Sequence, residues 1–169
     1  MQGTPGDILE KLGRLAARRT VLLGMGNMLR GDDGFGPELA ERVSSSGLMP
    51  AIDAGTTPEN QVGAVARLEP EAVILADAVH MGSEIGTLDL LAAGDLLEAS
   101  TAGTHALSPG MVMDRIAGET GAEVFMLAVQ PGSLGFGQPM SDEVRKAVET
   151  AVEALERVFR PGTSNRAPS

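Results

Sequence analysis

Four aspartates and two histidines stand where they can do chemistry in this chain. Asp32 and Asp33 are adjacent in the glycine-rich stretch Gly24-Met-Gly-Asn-Met-Leu-Arg-Gly-Asp-Asp-Gly-Phe-Gly36. Asp53 and Asp77 each end a short apolar run, and His80 and His105 lie in Asp77-Ala-Val-His-Met-Gly82 and Gly103-Thr-His-Ala-Leu-Ser-Pro109. One imidazole with two carboxylates is a donor set for a divalent metal such as zinc or nickel, with the remaining positions open to water or substrate. A carboxylate at a strand end also serves as acid or base when its surroundings shift its pKa. The same residues have plainer uses: the aspartate pair can cap a helix, and Asp53 or Asp77 can hold loop amides. With no cysteine in the chain, thiolate metal sites, a cysteine nucleophile and disulfides are excluded.

Several familiar patterns fail. A dinucleotide fingerprint needs a third glycine where Leu29 stands, and no Gly-Lys-Ser/Thr follows to make a phosphate loop. Pro131-Gly-Ser-Leu-Gly135 shares the Gly-Ser-x-Gly core of a serine-hydrolase elbow, but Pro131 replaces its first glycine. The His-Glu-x-x-His zinc-protease pattern and the Asp-Thr/Ser-Gly pair of ordinary aspartic proteases are both missing.

Alternating elements must position these side chains. Residues 7–18 carry a helical apolar face, Ile8, Leu9, Leu12, Leu15 and Ala16. Thr20–Gly24 reads as a buried strand, Gly24–Gly36 as a loop, and Pro37 as the opening of a helix to about Val43. Ala51–Asp53 is a weak strand, and Pro58 and Glu59 open a second helix. Ala72–Asp77 is apolar throughout and ends on its carboxylate, with His80 in the loop beyond. Gly86–Leu91 and Glu123–Val129 are further strands, and Pro109–Glu119 is a helix. The last helix begins at Ser141, an N-cap, and buries Val144, Ala147, Val148, Ala151, Leu155 and Val158. Strands alternating with helices predict an α/β sandwich around a mostly parallel sheet of about five strands, with ligands bound outside the carboxyl ends of the strands.

The 169 residues suit one domain: a core over about 20–158, a helical extension at 1–19 and a disordered tail at 161–169. Only 2% of the residues are aromatic, all of them the four phenylalanines, so the core is aliphatic. Lysine and arginine number 13 against 23 acidic residues, and the net charge of −10 speaks against a nucleic-acid partner. No apolar stretch is long enough to span a bilayer and no signal peptide is evident, so a cytoplasmic monomer is expected.

Together these segments resemble the hydrogenase maturation endopeptidases. The resemblance runs through Leu22–Gly36, Ile52-Asp-Ala-Gly-Thr-Thr-Pro-Glu-Asn60, Leu75–Val79, Gly103-Thr-His105, Val129-Gln-Pro131, Gly135-Phe136, Pro139-Met140 and the final helix, about residues 20–158. Thr-Pro-Glu-Asn, Thr-His and Gln-Pro are similar to the branch serving formate-hydrogenlyase-type hydrogenases. The resemblance implies a three-layer, phosphorylase/hydrolase-like sandwich. It implies a peptidase of the aspartic-type class, which removes the C-terminal extension of the nickel–iron hydrogenase large-subunit precursor after nickel insertion. It implies that Asp33, Asp77 and His105 contact the metal, with Asp53 a supporting candidate only for a carboxylate role in cleavage, and it demotes Asp32 and His80. The nickel is supplied by the precursor, and other divalent metals can substitute. Cleavage proceeds either through the metal, polarising the carbonyl or activating water, or through a carboxylate base, Asp33 or Asp77. Ala54 stands where many members have glycine; if the backbone there is left-handed, alanine costs about 1 kcal/mol.

Two other classes are weighed against this. A peptidyl-tRNA hydrolase shares the Gly-x-Gly-Asn opening, but Met28 follows Asn27 and no basic RNA-facing patch is present. A non-enzymatic nickel-binding chaperone of the same fold would be expected to have lost a ligand.

Overall fold

An apolar run such as Ala72–Ala76 needs cover on both faces, and the helices that connect parallel strands supply it. The computed structural model describes residues 5–98, 100–101 and 108–160. In chain order the elements are α1 (Pro5–Gly13), β1 (Thr20–Met25), a 3-10 turn (Gly31–Gly34), α2 (Phe35–Ser46), β2 (Ala51–Gly55), a second 3-10 turn (Pro58–Gln61), α3 (Val62–Arg67), β3 (Ala72–His80), β4 (Leu88–Ala92), a third 3-10 turn (Ala93–Glu98), β5 (Ser100–Thr101), α4 (Pro109–Thr120), β6 (Glu123–Val129) and α5 (Asp142–Phe159). The main sheet has the order β2-β1-β3-β6-β4. Its first four strands are parallel and β4 is antiparallel to β6. The expected fold, a mostly parallel five-strand sheet between helical layers, is the one observed, with β5 added as a short antiparallel partner of β3.

Alternation along β3 divides the core. Ala72, Ile74, Ala76 and Ala78 pack with α1, α2 and α5, while Val73, Leu75 and Val79 pack with α3 and α4. The chain leaves β1 in one direction along the sheet to reach β2, then crosses back past β1 to β3. Right-handed crossovers therefore put α2 and α3 on opposite faces. The carboxyl ends of β1 and β3 border the resulting switch point, where open α/β sheets bind ligands.

Several boundaries differ from expectation. The first helix stops at Gly13; Arg14, Leu15, Ala16 and Arg18 instead donate to the carbonyls three residues earlier. The tight loop to Gly36 contains a 3-10 turn, and α2 starts at Phe35 rather than Pro37. Pro58 opens a 3-10 turn before α3 begins at Val62. Strand β3 continues past Asp77 because Val79 and His80 pair with Thr101 and Ser100. His80 therefore belongs to a strand, not a loop. Ala54 is a buried strand residue, and the left-handed backbone falls on Gly55 at φ 54°, so the anticipated cost at Ala54 does not arise.

The N-terminal helix lies against α5 and the edge strand β4. Lys11 reaches Asp89 at 3.0 Å and the Leu90 carbonyl at 3.2 Å, capping part of that edge. Residues 161–169, expected to be a disordered tail, lie outside the described residues. Among the described residues, no helix is long and apolar enough to cross a membrane.

Candidate active site

Strand β1 is buried along its whole length, so the chain that leaves it must turn without exposing the sheet. Glycine makes this possible through close approach. A Cβ on Gly36 would stand 2.2 Å from the Met25 carbonyl oxygen and 2.3 Å from that of Ala76, so α2 starts directly on the ends of β1 and β3. Gly26, at φ 136°, likewise lets the Asp33 carbonyl come so near that a side chain there would collide with it at 1.9 Å. The Gly31–Gly34 turn is thereby held against β3.

This turn buries both of its aspartates, and they do different work. Asp32 is a clamp. Its carboxylate accepts from the Gly132 amide at 2.8 Å, the Ser141 amide at 2.7 Å and the Ser141 hydroxyl at 3.0 Å. It joins the turn after β1 to the segment after β6 and to the N-terminus of α5. Asp33 faces back toward β1, and its Oδ2 accepts from the Asn27 amide at 2.9 Å. Asn27 in turn fixes the loop, its Oδ1 accepting from the Leu29 amide at 2.9 Å.

Asp77 is fully buried within β3, and its Oδ1 accepts from the Ala78 amide at 2.8 Å. Its parity puts it on the side of Leu75 and Val79, beneath α3 and α4. Asp33 and Asp77 thus come to the same end of neighbouring elements, one from the turn and one from β3. Asp53 does not join them. Register sets it level with Gly24 and Ala76, so its side chain lies on the sheet face opposite Asp77's. It is exposed, and its Oδ1 accepts from the Gly55 amide at 2.9 Å. That is the loop-holding role open to a strand-end aspartate.

His80 is exposed at the end of β3, with Nδ1 3.4 Å from Gln130 Nε2. His105 lies outside the described residues. Among the described residues, no group of three or more histidine, cysteine or acidic side chains could hold a metal ion. Ser133 of the Gly-Ser-x-Gly stretch has a structural use: its carbonyl accepts from the Asp32 amide at 2.9 Å, and its hydroxyl accepts from the Gly135 amide at 3.3 Å.

Two residues hold roles that were not read from the sequence. Gln130 is buried at the end of β6, and its Oε1 accepts from the amides of Met81 at 2.6 Å and Ser83 at 3.3 Å. Its Nε2 donates to the Pro131 carbonyl at 3.1 Å. It locks the turn after β3, and a glutamine between an apolar strand and a proline was the available signal. Asp32 was passed over beside its neighbour; its signal was a second acid next to the glycine turn.

Known proteins share this fold. The family model HycI, hydrogenase maturation protease, matches residues 36–158. The Hydrogenase 3 maturation protease of Escherichia coli K12 is 36% identical over 138 residues, 80% of this chain and 88% of that protein. The crystal structure of the NiFe hydrogenase maturation protease HycI from Thermococcus kodakarensis KOD1 superposes with a TM-score of 0.77 at 29% identity, covering 90% of this chain and 99% of that one. A Hydrogenase 3 maturation protease crystal structure gives 0.73 at 32% identity, covering 89% and 95%. A chain that matches these proteins over most of its length, on the same sheet flanked by helices, belongs to the hydrogenase maturation protease family and is a peptidase.

Proposed function

We propose that this peptidase removes the C-terminal extension of a nickel–iron hydrogenase large-subunit precursor, and that it cuts after nickel has been inserted. The observation that carries the proposal is the burial of Asp33 and Asp77 at one end of the sheet, each carboxylate oriented by a backbone amide. Two aspartate oxygens and the imidazole of His105 form a donor set that accepts a divalent first-row metal. Three protein donors leave coordination positions for the precursor's own metal centre to complete. Nickel is here part of the substrate: precursor that lacks it lacks the contact that orients its scissile bond. When bound, nickel supplies Lewis acidity at that bond.

The chain's residues do the rest. Asp33 or Asp77 acts as general base toward the attacking water, the sense in which the enzyme is aspartic-type. Asn27 and Ala78 hold these carboxylates in place through their amides. Asp32 keeps the turn rigid, and rigid placement of reacting groups is itself a large part of catalysis. An acidic chain of net charge −10 acting on a protein in the cytoplasm needs neither a nucleic acid nor a membrane partner. A monomer is sufficient, since both described site carboxylates come from one chain.

Substitution tests the assignment. Asp33→Asn, Asp77→Asn and His105→Ala are each expected to reduce processing of nickel-loaded precursor by at least about a hundredfold, with unchanged circular dichroism. His80→Ala is expected to process normally. Full activity in the first three variants would overturn the site, and loss of activity in folded His80→Ala would move the imidazole role to His80.

A further inference from the structure

Strand β4 ends the main sheet on one side, and among the described residues no further strand lies beyond it. Register fixes which of its backbone groups are left over. The Gln130 amide donates to the Thr87 carbonyl at 2.9 Å, one residue before β4. Bonded and outward-facing residues alternate in an antiparallel pair. Asp89 and Leu91 therefore bond to β6, while Leu88, Leu90 and Ala92 turn their amides and carbonyls away from it. Such a row of groups is a template for another strand. The strand itself, Leu88-Asp-Leu-Leu-Ala92, carries a single charged residue. Its surroundings are open. A groove of about 380 Å³ is lined by Lys11, Leu15, Leu90, Ala92, Asp95 and Phe125, so α1 does not seal this part of the strand.

Three side chains occupy the edge instead. The Leu90 amide donates to Asp89 Oδ1 at 2.8 Å, and the Leu90 carbonyl accepts from Lys11 Nζ at 3.2 Å. Lys11 Nζ also meets Asp89 Oδ1 at 3.0 Å. One ammonium and one carboxylate oxygen thus close both outward groups of Leu90, the middle residue of the strand. Two residues on, the Ala92 amide donates to Asp95 Oδ2 at 2.9 Å. Lys11 is delivered to this place by α1, whose Ile8 and Leu12, with Leu15 just beyond, are buried in the core. The side chains of Lys11 and Asp89 are 40% and 11% exposed, and a partly exposed ion pair adds little to stability. Its more consequential property is its position, on the hydrogen-bonding groups that an incoming strand would need.

We infer that Lys11, Asp89 and Asp95 form a latch that keeps the free edge of β4 from pairing with the β4 of a second copy of this chain. A second copy is the natural occupant, because two antiparallel β4 strands related by a two-fold axis present the same outward groups to each other. The latch acts in two ways. It fills three of those groups, and it sets Asp89 and Asp95 where the carboxylates of two copies would be brought together and repel. The net charge of −10 also opposes self-association, but salt screens charges separated by more than roughly 8 Å. The latch works at contact, where that general repulsion does not choose between one face and another. This inference does not rest on the precursor-processing reading.

The test is self-association of the full chain, followed by sedimentation velocity over a range of concentrations, with circular dichroism to confirm the fold. The combined variant Lys11→Met, Asp89→Ala, Asp95→Ala is expected to associate at least about tenfold more tightly than wild type. Adding Ala92→Pro should return it to the wild-type state. Proline has no amide to offer an incoming strand, and the Ala92 amide is not among those that bond to β6, so the sheet itself is left intact. Association no tighter than wild type in the folded combined variant overturns the latch. So does tighter association that survives Ala92→Pro, since the contact would then lie elsewhere. Should Asp89→Ala prevent folding, Asp89→Asn in the same background removes the charge while keeping the shape, and it is judged by the same two outcomes.

Discussion

Adjacent aspartates in one short turn have divided duties. Asp32 spends its carboxylate on three donors from Gly132 and Ser141, whereas Asp33 faces the end of β1 and takes the Asn27 amide. Removing Asp32 leaves buried donors without their acceptor. Asp32→Ala is therefore expected to lower stability by about 3 kcal/mol, measured by urea denaturation, with the greater part of the loss retained in Asp32→Asn. An unchanged midpoint would show that water replaces the clamp at no cost. From sequence, the pair could be a cap or a site, and the choice of Asp33 came with the family resemblance. What sequence did not show was a third use: neither aspartate caps the helix that follows, and Asp32 ties the turn to Gly132 and Ser141 instead. Asp53 was equally ambiguous. Its exclusion depends on strand register, which sets it on the face opposite Asp77, and register is a tertiary property.

The elements were mostly legible because their signals are local. An apolar run bounded by glycine and a period-3.6 stripe behind Ser141 each specify an element without distant contacts. The misplaced boundaries depend on contacts that such patterns do not contain. Strand β3 is lengthened by two residue pairs with β5, and α2 starts early because Gly36 sits on the ends of β1 and β3. The second dependence makes a prediction. Gly36→Ala would drive a methyl group against the Met25 and Ala76 carbonyl oxygens, neither of which can move independently of the sheet. We expect a loss of about 3 kcal/mol or failure to accumulate as folded protein, assessed by thermal unfolding and soluble yield. Wild-type stability would mean that α2 can slide away from the strands, and with it the turn that carries Asp33.

At the scale of the whole molecule, a core in two layers, aliphatic but for Phe35 and the partly buried Phe125 and Phe159, holds the switch point. The N-terminal helix belongs to that frame, since Ile8, Leu12 and Leu15 are buried in the layer that α2 and α5 share. Leu12→Ala is expected to cost about 3 kcal/mol in stability while precursor processing persists wherever the variant remains folded. Loss of processing without loss of stability would instead give α1 a direct part in the reaction. The acidic surface and the rigid turn fit the proposed action on a protein substrate. The central claim is that its carboxylates meet a metal which that substrate brings. The most direct test is the rate at which wild-type enzyme processes the large-subunit precursor with and without nickel, followed by intact-mass spectrometry. The account predicts loss of a C-terminal peptide from the nickel-loaded precursor and none from the nickel-free form; equal cleavage of both would contradict it.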